Sequence, residues 1–120
     1  MKNILIIGGS GVVGSALIKK LSSQTYKIIS VDKNENQNLK IKSKNVFHHK
    51  IDLTKKKNLE ILRNYISSAD IIFFKIAILG NPNFSTNHQY AHEYIKVNTL
   101  ILLSIIKMVI NSNVTKLIVD

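Results

Sequence analysis

Apolar positions in this chain fall into short unbroken runs, and these alternate with stretches of helical spacing from one end to the other. Ile4 to Ile7 runs straight into glycines, the pattern of a strand covered on both faces. Val12 to Leu21 has the spacing of a helix, and Lys27 to Val31, ending at Asp32, that of a second strand. Lys33 to Lys44 is polar, carries Asn34, Asn36 and Asn38, and predicts a loop. Asn45 to His49 predicts a short third strand. Thr54 is placed to cap a helix running to Ile66, with Leu59, Leu62, Arg63 and Ile66 along one stripe. Asp70 precedes a fourth strand, Ile71 to Ile76, and Gly80-Asn81-Pro82-Asn83 is a turn cluster. A long helix is predicted from Asn87 to Asn111 and a fifth strand from Thr115 to Val119.

Five strands joined by helical crossovers imply an α/β fold, a Rossmann-like, doubly wound parallel sheet with helices on both faces. Right-handed crossovers and a reversal of winding after the third strand give the order 3-2-1-4-5. Ligands of such sheets bind beyond the carboxyl ends of the strands, beside the switch point. That rule gathers Gly8 to Gly14, Asp32, Asp52 and the segment after Ile76 around one crevice. Residues 1–120 are too few for more than one domain.

Composition narrows the chemistry. The 45% hydrophobic content is that of a globular protein, and with no cysteine there is neither a disulfide nor a thiolate nucleophile. The net charge of +10 raises nucleic acid as a partner, but 17 basic residues include one arginine, and no aromatic platform sits among the lysines. No nucleic-acid partner is expected, and the lysines read as solvated faces able to steer an anionic ligand. The apolar stretch Thr99 to Ile110 is interrupted by Ser104 and Lys107 and is shorter than the ~20 residues of a membrane span. A soluble, cytoplasmic protein without a membrane partner is expected. No metal site is expected either: His48 and His49 point to opposite faces of a strand, and His88 and His92 have no third ligand.

The glycine-rich stretch carries the chemistry. A helix begins with unpaired backbone N–H groups and the positive end of its dipole, so it holds a pyrophosphate without a side-chain charge. Gly9, Gly11 and Gly14 fit G-x-G-x-x-G, and Gly8, Gly11 and Gly14 fit G-x-x-G-x-x-G; both readings stand, and in each Gly14 brings helix and strand close. Asp32, at the end of the second strand, is placed to accept hydrogen bonds from the ribose hydroxyls of an adenosine. Its charge repels a 2′-phosphate and favours NAD over NADP, whereas the neighbouring Lys33 offsets that repulsion. Asp52 is placed either to accept from an adenine amino group, with Leu53 packing on the ring, or to sit as an acidic charge at a helix start.

Taken together, these segments resemble the N-terminal half of the extended short-chain dehydrogenase/reductase family, the NAD-dependent epimerases and dehydratases. The family opens T-G-G-x-G-F-I-G, and this chain has Ile7-Gly8-Gly9-Ser10-Gly11-Val12-Val13-Gly14. Val31-Asp32 resembles the family's strand-end Asp, and Asp52-Leu53 its adenine-binding pair. Asp70 to Gly80 resembles its fourth strand and nicotinamide loop, Tyr94 to Leu103 its Y-x-x-x-N helix segment, and Asn113 to Val119 its fifth strand. The resemblance implies a cofactor site of Gly8, Gly11, Val12, Val13, Gly14, Asp32, Lys33, Asp52, Leu53, Ala77 and Asn98. It implies hydride transfer to and from nicotinamide on a nucleotide sugar in a longer chain, and a homodimer packed through the helix near residues 87–111.

Departures from the family temper the activity. Phe74-Lys75-Ile76-Ala77 or, shifted by one, Lys75-Ile76-Ala77-Ile78 replaces His-Leu-Ala-Ala, and the Gly-Thr after the family's helix asparagine is missing beyond Asn98. The family's catalytic Ser follows the fifth strand and its Tyr-x-x-x-Lys lies on the next helix. None of Tyr26, Tyr65, Tyr90 and Tyr94 has a lysine four residues on. No catalytic residue is therefore expected here, and the C-terminal part of the family fold is expected to be missing. The alternative expectation is a module that senses NAD or binds a partner without chemistry.

Overall fold

The computed structural model describes residues 1–9, 12–33, 44–75 and 88–119, with the side chains of Val12 and of residues 88–98 outside that description. Its elements are β1 (Lys2–Ile7), α1 (Val12–Leu21), β2 (Tyr26–Asp32), β3 (Val46–Lys50), α2 (Lys56–Ser68), β4 (Ile71–Phe74), α3 (His88–Ile110) and β5 (Lys116–Val119). The five strands form one parallel sheet in the order β3-β2-β1-β4-β5, as the alternation of patterns predicts. The winding reverses between β1 and β4, which places the switch point at the carboxyl end of β1.

Both faces of the sheet are covered, and β1 shows how the sequence arranges this. Its side chains alternate between two cores. Leu5 and Ile7 enter the larger one with Val31, Ile72, Phe74, Leu62 and Ile66 of α2, and Ile101 and Ile105 of α3. Ile4 and Ile6 enter the smaller one with Ile28 and with Ile18 of α1. A strand serving two cores cannot alternate apolar with polar residues, which is why Ile4 to Ile7 is continuous. α1 ends where serines begin to compete for its carbonyls: the hydroxyls of Ser22 and Ser23 donate to Lys19 O and Lys20 O.

The amino ends of three strands are tied through Asp70. Its carboxylate accepts the N–H of Asn3 at 2.7 Å, and its own N–H donates to Asn3 O at 2.8 Å. Its carbonyl accepts the N–H and the hydroxyl of Thr115, at 2.9 and 3.1 Å. One residue thus fixes the register of β1, β4 and β5 at the end of the sheet opposite the glycines.

One expectation is corrected. Thr54 does not cap α2, which starts at Lys56 behind Lys55, a residue without a side-chain cap bond. The Thr54 hydroxyl and N–H instead donate back to the Asp52 carboxylate, at 2.6 and 3.0 Å, which holds Thr54 in a turn one residue ahead of the cap position. α3 buries Ile101 and Ile105 and leaves Leu100, Leu103 and Ile110 exposed. Among the described residues no helix is long and apolar enough to cross a membrane, and no group of three or more acidic, histidine or cysteine side chains is placed to hold a metal ion.

Candidate functional site

The carboxyl ends of β1, β2 and β3 bring Gly8, Asp32 and Asp52 to one rim of the sheet. The first turn follows directly from the β1–β2 ladder. The Gly8 N–H donates to Val31 O at 2.7 Å, one step beyond the last strand residue. Gly8 then turns away with φ 93°, the left-handed region that glycine occupies without cost.

Close approach governs the other described glycines. A Cβ on Gly14 would strike the carbonyl oxygen of Gly8 and lie 2.9 Å from Gly9 Cα, all backbone that cannot swing aside. Gly14 therefore lets the first turn of α1 lie against the turn that precedes it. A Cβ on Gly9 would strike Ser30 Oγ and lie 3.0 Å from Ile18 Cδ1. The hydroxyl of Ser15 donates to Gly9 O at 3.3 Å, pinning turn to helix. The first turn of α1 contains no acidic side chain to occupy its positive end. Val13, on that same turn, keeps 59% of its surface exposed, an apolar side chain uncovered at the mouth.

Asp32 ends β2 in register with Lys50, and its carbonyl accepts the Ile51 N–H at 2.8 Å. Lys33 follows it and is exposed. Asp52 lies just past β3, where its carboxylate accepts both the hydroxyl and the N–H of Thr54, at 2.6 and 3.0 Å. Those bonds, with the charges of Lys55 and Lys33, hold the Asp52 carboxyl below the ordinary carboxylate value. Its carbonyl accepts the Asn58 side-chain amide at 2.8 Å. Leu53 is only 6% exposed and belongs to the larger core. At the end of β4, the Lys75 N–H donates to Ile7 O at 2.7 Å, so this backbone borders the same crevice.

Of the residues expected at the site, Gly8, Val13, Gly14, Asp32, Lys33, Asp52 and Leu53 border this rim. Gly11 and Ala77 lie outside the described residues. Val12 begins α1 and Asn98 lies within α3, their side chains outside the description. Three contributors escape the sequence reading: Gly9 as a packing point, Ser30 beneath it, and Thr54 as the partner of Asp52. An alternation signal at Ser30, a polar residue inside an apolar strand that faces the helix, marks that position.

A left-handed glycine, a helix start drawn close by a second glycine, and a carboxylate at the next strand end form a cradle whose donors suit a dinucleotide. The match to known families agrees. The model described as the NAD dependent epimerase/dehydratase family matches residues 4–119. No curated protein is similar enough in sequence to count as a match. Among solved structures, an epimerase from Methanothermobacter thermautotrophicus superposes with a TM-score of 0.80 at 23% identity, covering 98% of this chain and 34% of the other. The UDP-Glc/GlcNAc 4-epimerase from Campylobacter jejuni gives 0.78 at 20% identity, covering 99% and 36%. A short chain dehydrogenase from Leptospira borgpetersenii with bound NAD+ gives 0.72 at 21%, covering 90% and 44%. At these identities the likeness establishes the fold, and the chain spans less than half of each of these structures. With nearly its whole length matched by the family model, the chain belongs to the NAD dependent epimerase/dehydratase family.

Proposed function

We propose that this chain is the NAD-binding portion of a nucleotide-sugar epimerase, dehydratase or reductase. The observation that carries the reading is the pairing of the Gly8–Gly14 turn with a carboxylate, Asp32, at the end of the adjacent strand. Gly8, the amino end of α1 and Gly14 would hold the pyrophosphate, and Asp32 would accept from the adenosine ribose. Asp52 and Leu53 would border the adenine, Leu53 through its backbone, since its side chain is in the core. When bound, the nicotinamide supplies a hydride acceptor and donor. Lys75, whose N–H donates to Ile7 O at the end of β4, would stand on the nicotinamide side of the switch point. The full protein would transfer hydride on a sugar carbon; two of the similar structures are named as sugar-nucleotide or general epimerases.

A titration of the purified chain with NADH, followed by nicotinamide fluorescence, tests this reading. Saturable binding that Asp32→Asn weakens about tenfold is the expected result. Absence of binding, or binding indifferent to residue 32, overturns it. NAD is expected to bind better than NADP, with Asp32→Asn narrowing the difference.

Binding without turnover is the second reading, favoured by the absence of any Tyr-x-x-x-Lys among the four tyrosines. Without that pair no tyrosinate base is supplied near neutral pH. Epimerase or dehydrogenase turnover by this chain alone would overturn it.

A further inference from the structure

The Gly8–Gly9 pair invites one explanation for both residues, that a ligand phosphate needs bare backbone. The geometry separates them. The Cβ direction of Gly9 points into the layer between β2 and α1, toward Ser30, which is 2% exposed, and Ile18, which is fully buried. A phosphate at the amino end of α1 would lie on the other side, at the rim. Ser30 pairs with Ile6 in the sheet, so it stands directly under the turn that follows β1. Gly9 is enclosed from four directions: by Ser30 below, by Ile18 of α1, by Gly14, and by the Ser15 hydroxyl on its carbonyl.

We propose that Gly9 is bare to seat the turn on Ser30 and Ile18 rather than to admit a phosphate, and that Ser30 is a positioning residue for the phosphate-binding turn. The proposal rests on the dinucleotide reading for its ligand but not for its packing. A methyl group at position 9 would lift the turn off β2. That would move the Gly8–Gly9 backbone relative to the amino end of α1, which the proposed site needs close together. Ser30 would act by its size, since its Cβ, like its Oγ, stands in the space a Gly9 side chain would need, with Cβ at 3.0 Å. Rotating the hydroxyl away relieves only the Oγ contact and leaves that of Cβ.

The test is a double-mutant cycle in the full chain, read by NADH affinity and by thermal unfolding. Gly9→Ala should raise the NADH Kd about tenfold or more and lower the unfolding midpoint. Ser30→Ala should recover part of that loss in the Gly9→Ala background. Ser30→Gly should recover most of it, bringing the double variant to within about threefold of Ser30→Gly alone. If Gly9→Ala costs the same factor in all three backgrounds, the bare backbone serves the ligand and the proposal is overturned. If Gly9→Ala does not fold, recovery of folded protein by Ser30→Gly supports the proposal, and failure to recover it while Ser30→Gly itself folds overturns it. If the parent chain binds no NADH, the dinucleotide reading fails by itself. The unfolding midpoints of the same variants then decide the packing, with independent effects at positions 9 and 30 counting against it.

Discussion

At the scale of single residues, the site rests on backbone that has no room to move. Gly14 is the clearest instance, because what its absent side chain would strike is the Gly8 carbonyl and not a side chain able to rotate. Gly14→Ala is expected to cost about 1–3 kcal/mol in urea unfolding and to abolish measurable NADH binding. Asp52 gives a prediction in pH. Its carboxyl is held low by Thr54 first and by Lys55 and Lys33 after it. A carboxylate lowered in the folded state adds stability above its unfolded value, near 4, and that contribution is lost as pH falls through the lower folded value. Urea unfolding from about pH 5 down to pH 3 should therefore show a shallower loss in Asp52→Asn than in the parent. An unchanged slope would mean that Thr54 holds the carboxylate no better than water does. The placement of Gly8, Gly14 and Asp32 at one rim was legible in the sequence because backbone conformation and strand-end position are both encoded locally. Gly9 and Ser30 were not, since their contact joins residues that come together only when β2 lies beside β1.

At the scale of elements, apolar runs and helical stripes located the described strands and helices, because β1, β2, β4 and the three helices each send buried side chains into a core, while β3 packs only a partly buried Val46 against the smaller one. The start of α2 was misplaced for a reason that spacing does not reveal. Thr54 donates its hydroxyl and its N–H to the Asp52 carboxylate two residues earlier, in a turn that precedes the helix, and Lys55 takes the cap position. Asp70 also gains a role that its sequence position only hints at. It joins β1, β4 and β5 by four hydrogen bonds, two of them with Asn3. Asp70→Ala removes the acceptor of the Asn3 N–H and is expected to cost about 1–3 kcal/mol, measured by urea unfolding. Asp70→Asn, which keeps an acceptor, should cost less. Equal losses would place the energy in the charge rather than in the register of the strands.

At the scale of the whole molecule, apolar surface is left uncovered on one side of α3 and at the β5 edge. Leu100, Leu103, Ile110, Ile118 and Val119 are all exposed. Such a surface should bind a hydrophobic dye, and Leu100→Lys/Leu103→Lys should reduce the dye signal while shifting stability by no more than about 0.5 kcal/mol per site. A large loss of stability would show that these leucines are core residues. The winding of the sheet has a further consequence, in time rather than in space. Of the five described strands β1 is made before the others and lies in the middle of the sheet, and the partner of Asn3 at Asp70 lies 67 residues further on. One edge of β1 is satisfied early by β2, but the other waits until β4 has been made. Closing so distant a parallel pairing is slow compared with forming a helix. On the ribosome, Ile4 to Ile7 therefore stays half-paired until β4 has emerged, and a nascent chain stalled before Phe74 presents to chaperones an open edge that the finished sheet conceals.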